Sequence, residues 1–113
     1  MHARSLKWLE DIRDAAAFIG QVTHGRSLEA YGADRLLRQA VERNFEIIGE
    51  AIKRLAQHDP DTAARIAQYA QIIAFRNVLI HGYDLVDQGL VWSTVQTQLP
   101  VLLSDIAAII DSD

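Results

Sequence analysis

The chain has 113 residues, half of them hydrophobic, with no cysteine and a formal net charge of −4 at pH 7. A chain of this length fits one domain, and its composition excludes disulfides, thiolate zinc sites and cysteine nucleophiles. The negative charge argues against a broad basic surface for nucleic acid, although it permits a small local cationic site. Six glycines and two prolines supply few turns, which argues against a β-sandwich or barrel.

No stretch of the chain predicts a secretion signal or a membrane span. Met1 to Glu10 is polar and lacks the apolar core of a signal peptide. No apolar run approaches the ~18 residues that cross a bilayer. We therefore expect a cytoplasmic protein that has no membrane partner.

The first part of the chain predicts one helix followed by a loop. Apolar residues recur at steps of three and four from about Ser5 to Val22, which is the spacing of one helix face. Gly25 suits the left-handed position that ends a helix. The stretch from there to Ala33 is expected to form a loop or a frayed turn.

The second predicted helix carries a long apolar stripe. Asp34 is its expected N-cap, and the apolar positions continue to Leu55. Asn44 falls in the middle of this stripe. Because a buried amide needs hydrogen-bond partners, we expect Asn44 to bond to a neighbouring helix.

Three glutamates lie on another face of the same helix. Glu42, Glu46 and Glu50 are four residues apart and are expected to form a solvated acidic face. Glu50 is within reach of Lys53 or Arg54 along the helix.

A strong break follows the second helix. Asp59 is an expected N-cap with Pro60 at the first helical position. A short helix from Thr62 to Tyr69 is predicted, and it continues into or bends towards the segment Gln71 to His81. Gly82 is expected to end that segment.

The last predicted helix begins after Asp87. Pro100 lies inside its apolar stripe and is expected to kink or split the helix near Leu99, because proline has no N–H to donate. The chain therefore predicts a single domain over residues 1–113. Its fold class is all-α, an antiparallel up-and-down bundle of four to five helices.

The segment Gln71 to His81 is apolar nearly all round, yet it contains Arg76, Asn77 and His81, with Tyr83 just beyond it. A helix that is apolar on all sides is buried against several neighbours or against another chain. Asn77 and His81 are four residues apart and share a face. Arg76 and His81 are therefore not expected to be ordinary surface residues.

Two interpretations of these polar side chains stay open. In a structural interpretation, Arg76 is buried and paired with Glu46 or Glu50, and His81 stabilises the C-terminus of its helix. A structure in which Arg76 and His81 are sealed from solvent, away from any cleft, would support it. In a catalytic interpretation, the same side chains are presented to a substrate.

The catalytic interpretation rests on the chemistry of RNA. A 2′-hydroxyl can attack the neighbouring phosphate without a metal, given an acid or base that works near neutral pH and a cation for the phosphate oxygens. His81 and Arg76 supply these groups, and Asn77 can orient the phosphate or the imidazole. One chain lacks a second acid or base, which a twofold dimer would supply as a second His81.

Other site chemistries fit less well. The four histidines are not at metal-ligand spacing, and no glycine-rich loop suits a nucleotide. We therefore expect no metal and no cofactor.

The string from Arg76 to Tyr83 resembles the Arg-Asn-x-x-x-His-x-Tyr motif of the HEPN superfamily. It is most similar to that of the small HepT-like toxins encoded beside minimal nucleotidyltransferases. Phe45 to Ala51, Asp87 to Trp92 and Leu99-Pro100 are also similar to that family's usual segments. Gln68-Tyr69 stands where family members often carry Pro-Trp, a departure that concerns the start of the helix.

The resemblance implies an HEPN-like metal-independent endoribonuclease, the toxin of a type II/VII-like toxin–antitoxin system. Arg76 and His81 would be catalytic and Asn77 supporting. It further implies RNA as the substrate, a homodimer whose two motifs face one cleft, and a cognate minimal nucleotidyltransferase as antitoxin. Tyr83 matches the position that this partner can modify with AMP.

A second hypothesis comes from a different class of protein. The same cleft would bind a nucleotide or a partner protein without catalysis and would regulate the nucleotidyltransferase. The net charge of −4 mildly favours this alternative over an RNA-cleaving one.

Overall fold

Helices make up all the regular secondary structure in the part of the chain that the structure describes. In the computed structural model these residues are 1–82 and 84–112. The helices are α1 Ala3–Thr23, α2 Leu28–Ala33, α3 Arg35–His58, α4 Pro60–Ala63, α5 Tyr69–His81 and α6 Gln88–Asp111. The predicted all-α fold class is therefore confirmed.

The predicted N-caps are confirmed as well. The side chains of Asp34, Asp59 and Asp87 each accept backbone N–H groups in the first turn of α3, α4 and α6. Such caps satisfy donors that have no partner within the helix and contribute about 0.5–2 kcal/mol each. Gly25 has a φ of 74°, the left-handed conformation expected after α1.

The core is built from the apolar faces of the three longest helices. Helix α1 packs against α3 and α6, and α3 also packs against α5. Fully buried side chains from the three helices are Leu9, Ile12, Ile19, Val41, Ile48, Ile52, Leu55, Val91 and Ile106. Burial of each large apolar side chain contributes roughly 1.5–3 kcal/mol to the stability of the folded protein. These apolar faces therefore determine how α1, α3 and α6 pack.

The loop expected before Ala33 is instead the short helix α2. The Ser27 side chain accepts the N–H of Ala30 and caps this helix. Tyr31 is fully buried, and its ring centroid lies 5.2 Å from that of Trp92 on α6. A helix of six residues is too short to show a periodic apolar pattern, so the sequence did not predict α2. The packing of Tyr31 into the core stabilises it.

The boundary between α4 and α5 also differs from the prediction. The short helix ends at Ala63 rather than at Tyr69. Gln68 has a left-handed backbone with a φ of 57°, which interrupts the helical hydrogen bonds. Helix α5 therefore begins at Tyr69, which locates the helix start that the sequence left in doubt.

Asn44 does not bond to another helix, and that prediction was wrong. Its Nδ2 donates to the carbonyl of Ala40, 2.8 Å away and one turn earlier in α3. The side chain is only partly buried. Since a carbonyl of its own helix lies within reach, the amide is satisfied locally.

Helix α6 runs through Pro100 without being split. Leu99 and Leu102, on either side of it in sequence, are buried in the core. Proline removes one backbone hydrogen bond, and packing on both sides of Pro100 maintains the helix.

By length and composition alone, α6 could also cross a membrane. The core helix of a folded protein meets the same test, so this is weak support for a membrane segment. Helix α6 packs here against α1 and α2.

Candidate functional site

The predicted site residues lie in the second half of α5. Arg76 is partly buried, whereas Asn77 and His81 are exposed. His81 is the last residue of the helix, and the N–H of Gly82 closes the final turn on the carbonyl of Val78. Tyr83, the predicted modification site, lies outside the described residues.

Gly49 of α3 brings α3 and α5 into close contact at Arg76. A Cβ atom added to Gly49 would lie 2.2 Å from the Cβ of Arg76 and 2.7 Å from its Cγ. Any larger residue at position 49 would therefore force the two helices apart. The stem of Arg76 is thus held against the surface of α3.

The guanidinium of Arg76 is held at both of its ends. Its NH2 lies 2.8 Å from Oε2 of Glu50 on α3, and its NH1 donates to Oδ1 of Asn77 at 2.9 Å. Its Nε is buried and has no hydrogen-bond partner among the described residues. The pairing with Glu50 rather than Glu46 resolves the choice that the sequence left open.

Glu50 is shared between two arginines. Its Oε1 accepts from the Nε of Arg54 at 3.1 Å, as the sequence allowed. That hydrogen bond lowers the pKa of the Glu50 carboxyl, and although burial opposes the shift, the charge of Arg76 adds to it. Glu50 is therefore ionised at neutral pH and binds both guanidinium groups.

A cleft of about 270 Å³ opens beside Arg76, between α1, α3 and α5. It is lined by Trp8, Asp11, Arg43, Glu46, Ile47, Glu50, Ala51, Arg54, Arg76 and Ile80. Its walls thus carry three carboxylates and three guanidinium groups over an apolar floor. The expected solvated acidic face is seen only in part, because Glu46 and Glu50 are partly buried and line the cleft.

His81 stands apart from the ion pair. Within residues 1–82 and 84–112, no hydrogen bond joins it to Arg76 or Asn77, and it does not line the cleft. It is exposed and follows Asn77 by four residues, so both side chains project on one side of α5. The structure thus joins Arg76 to Asn77 directly and leaves His81 open to solvent.

The structure does not show the sealed site that would have supported the structural interpretation, although His81 does lie in the last turn of α5 as that interpretation expected. Arg76 does pair with a carboxylate, as that interpretation expected, but its guanidinium lies in the wall of an open cleft. His81 is exposed. Both groups are therefore accessible to a ligand.

The described residues contain no group of three or more His, Asp or Glu side chains positioned to hold a metal ion. The candidate site consists of Arg76, Asn77 and His81 together with Glu50. Sequence reasoning offered Glu50 as one possible partner and did not interpret Gly49. A glycine inside an otherwise apolar helical stripe was the available signal, since it often marks a close packing contact.

Several proteins are similar to this chain. "Probable ribonuclease HepT" of Thermococcus cleftensis is 34% identical over 98 residues, 84% of this chain and 86% of its own length. "Putative RNase TTE0752" of Caldanaerobacter subterraneus subsp. tengcongensis is 29% identical over 106 residues, 94% of each chain. "Gamma-glutamylcyclotransferase and putative RNase MJ0434" of Methanocaldococcus jannaschii is 31% identical over 104 residues, 92% of this chain and 46% of its own length.

No solved structure gives a significant match. The sequence model of the family described as "Ribonuclease HepT-like" matches residues 12–109, which include the whole of α3 and α5. With its all-helical fold and the Arg76 to His81 string on α5, this chain belongs to the ribonuclease HepT-like family of the HEPN superfamily.

Proposed function

We propose that the protein is a metal-independent endoribonuclease, with Arg76 and His81 as catalytic residues and Asn77 in support. The observation that carries the proposal is the placement of these groups. Arg76 lies in the wall of an open cleft and bonds to Asn77, and the exposed His81 lies one turn further along α5. The ribonuclease names of the family and its relatives support the same reaction class.

The proposed reaction is an internal transesterification of RNA. The 2′-oxygen attacks the adjacent phosphorus, the bond from phosphorus to the 5′-oxygen breaks, and a 2′,3′-cyclic phosphate and a 5′-hydroxyl result. One group removes the 2′-proton and another donates a proton to the leaving oxygen, which is work that histidine performs near neutral pH. Arg76 stabilises the negative charge that develops on the phosphate oxygens.

A homodimer would provide the second histidine. Only Ile72 and Leu79 are buried among the described side chains of the largely apolar α5, and Val78 is 49% exposed. An apolar surface of this kind suits a second copy of the chain. In a twofold dimer through α5, one His81 serves as base and the other as acid.

The partner of the proposed toxin is a cognate minimal nucleotidyltransferase, and the system acts in the cytoplasm. Support for this comes from the resemblance of the motif, including Tyr83. Transfer of AMP to Tyr83 would add negative charge and bulk next to the phosphate site, and so disfavour RNA. Mass spectrometry of the protein coexpressed with that enzyme tests the proposal, and the absence of an adduct on Tyr83 would count against it.

The ribonuclease proposal is tested by digestion of RNA in EDTA with the purified protein alone. Arg76→Ala and His81→Ala should each abolish cleavage while the helical circular dichroism is retained. Arg35→Ala and His24→Ala are matched controls, because both side chains are exposed on other parts of the surface. Full activity in both site variants would show the assignment to be wrong.

A non-catalytic binding module is the second candidate function. The net charge of −4 favours it, because negative charge opposes RNA, and in the cleft wall three carboxylates offset the three guanidinium groups. It predicts no cleavage in EDTA or with added metal, together with retained binding of a nucleotide or of the nucleotidyltransferase. Isothermal titration calorimetry with the wild-type protein separates the two candidates.

A further inference from the structure

We infer that Glu50 is a positioning residue, which holds the guanidinium of Arg76 in the orientation that receives a phosphate. The inference rests on the proposed ribonuclease function and deepens it. Glu50 lies on α3, outside the motif of α5, and acts through Arg76 rather than on the RNA itself.

Three contacts fix Arg76 along its length. Gly49 holds the Cβ and Cγ atoms against α3, Glu50 holds NH2, and Asn77 accepts from NH1. An arginine side chain has several rotatable bonds and is mobile when unsupported. With its stem and both ends held, the guanidinium retains one orientation before a substrate arrives.

Glu50 is itself held in place. One carboxylate oxygen accepts from Arg54, one turn further along α3, and the other faces Arg76 at 2.8 Å. The Arg54 bond keeps Glu50 from following Arg76 if that side chain moves. The carboxylate therefore acts as a fixed support between two helices.

Glu50 does not cancel the positive charge of the site. Two guanidinium groups share the one carboxylate of Glu50, so these three side chains together carry a charge of about +1, which Asp11 and Glu46 offset together with Arg43 in the rest of the cleft wall. Arginine has five N–H donors, and the bonds to Glu50 and Asn77 engage two of them. By this count NH1 and NH2 each retain one N–H that can donate to a phosphate oxygen.

Glu46 provides a matched control within the same cleft. It lines the cleft as Glu50 does, but its ion-pair partner is Arg43 at 3.9 Å, and among the described residues no ion pair joins it to Arg76. Both glutamates lie on α3 and are partly buried. Removing Glu46 changes the charge of the cleft equally and leaves Arg76 supported.

The experiment measures kcat and KM for RNA cleavage by wild-type protein, Glu50→Ala, Glu50→Gln and Glu46→Ala. Glu50→Ala should lower kcat by about 10- to 100-fold, because a misplaced catalytic group costs that much, with little change in KM. Glu50→Gln should lie between wild type and Glu50→Ala, since its amide oxygen still accepts from NH2. Glu46→Ala should keep the kcat of the wild type, because Arg76 stays supported.

A rise in activity in Glu50→Ala would overturn the inference, because it would make Glu50 an inhibitory counter-charge. Activity equal to wild type in that variant would overturn it as well. Circular dichroism checks that each variant folds. If Glu50→Ala does not fold, Glu50→Gln and Glu50→Asp are tested instead. The carboxylate of Glu50→Asp is one methylene shorter and should not reach NH2 of Arg76. A wild-type kcat in Glu50→Asp would therefore contradict the positioning role.

Nuclear magnetic resonance of the arginine side chains separates failure of this inference from failure of the ribonuclease proposal. Restricted rotation of the Arg76 guanidinium is expected in the wild type and should be lost in Glu50→Ala. If the wild type does not cleave RNA, the ribonuclease proposal fails first, whatever this spectrum shows. If the wild type cleaves RNA and its Arg76 guanidinium rotates freely, the positioning role alone is wrong.

Discussion

Helices α3 and α5 are both rich in apolar residues, yet they use them differently. Helix α3 has 24 residues and buries eight of them on one face. Helix α5 has 13 residues and buries only Ile72 and Leu79 among those described. Apolar residues on one face of a helix can all be buried within one chain. Apolar residues on every side of a helix leave an apolar surface that a single chain does not cover.

The expectation that α5 would be buried by several neighbours of its own chain is therefore wrong. Helix α3 is its main neighbour, and Val78 is left half exposed. The other expectation, burial against a second chain, stays a prediction. We therefore propose that α3 contributes chiefly to folding, apart from Glu50, and α5 to assembly and catalysis, and four changes test this division.

The largest effect is expected in the buried face of α3. Ile52 is fully buried, so Ile52→Ala should lower the free energy of unfolding by about 2–5 kcal/mol. Val78→Ala on α5 is the matched change and should cost less than about 0.5 kcal/mol in the monomer. Urea unfolding measures both, and equal losses would remove the distinction between the two helices.

A smaller loss is expected where the two helices touch. Gly49→Ala places a methyl group against the Cβ and Cγ atoms of Arg76 and should lower the free energy of unfolding by about 1–3 kcal/mol. RNA cleavage should also fall, because Arg76 is displaced. Gly20→Ala in α1 is its control, because an added Cβ there meets nothing within 4 Å. That control should be neutral or stabilising by up to about 1 kcal/mol. A neutral Gly49→Ala would contradict the close packing.

A charge on the exposed side of α5 should affect assembly more than folding. Val78→Asp should convert a dimer to a monomer in light scattering after size exclusion, and should lower cleavage with it. Leu36→Asp on α3 is the control, since Leu36 is 80% exposed. Monomer stability should change by less than about 0.5 kcal/mol in both variants. A dimer that survives Val78→Asp would place the interface elsewhere.

The smallest effect is expected at Glu42 of α3. Burial raises the pKa of its carboxyl, with Arg38 opposing the shift and Glu46 adding to it. The folded protein therefore binds this proton more tightly than the unfolded chain, so stability falls as the pH rises from about 4.5 through the raised pKa.

Glu42→Gln should consequently give a small gain in thermal stability at pH 7 and none at a pH below that window. Thermal unfolding at the two pH values measures the difference. An equal gain at both would mean that the charge of Glu42 is not its cause.

Local features of this protein were predictable because neighbours along the chain produce them. Asp34, Asp59 and Asp87 cap helices through bonds to backbone groups two or three residues away. Gly25 ends α1 by its own backbone preference. The placement of Arg76, Asn77 and His81 on one helix was likewise readable from the sequence.

The predictions that were wrong concern contacts between elements or weak local signals. The sequence placed Asn44 in an interhelical bond, and the carbonyl of Ala40 proved nearer. It predicted that Pro100 would kink or split α6, and of these the split is not seen, because buried neighbours keep the helix continuous. It did not reveal α2, whose stability depends on Tyr31 packing into the core.

The sequence by itself determined an all-α chain, the N-caps of α3, α4 and α6, and a motif helix that carries arginine, asparagine and histidine. Only the tertiary structure decided that Arg76 binds Glu50 rather than Glu46, and that Gly49 sets the distance between α3 and α5. The physical reason is that a partner on another helix depends on how the two helices are rotated and how closely they approach. Those quantities are fixed by packing of the whole core, which no short stretch of sequence specifies.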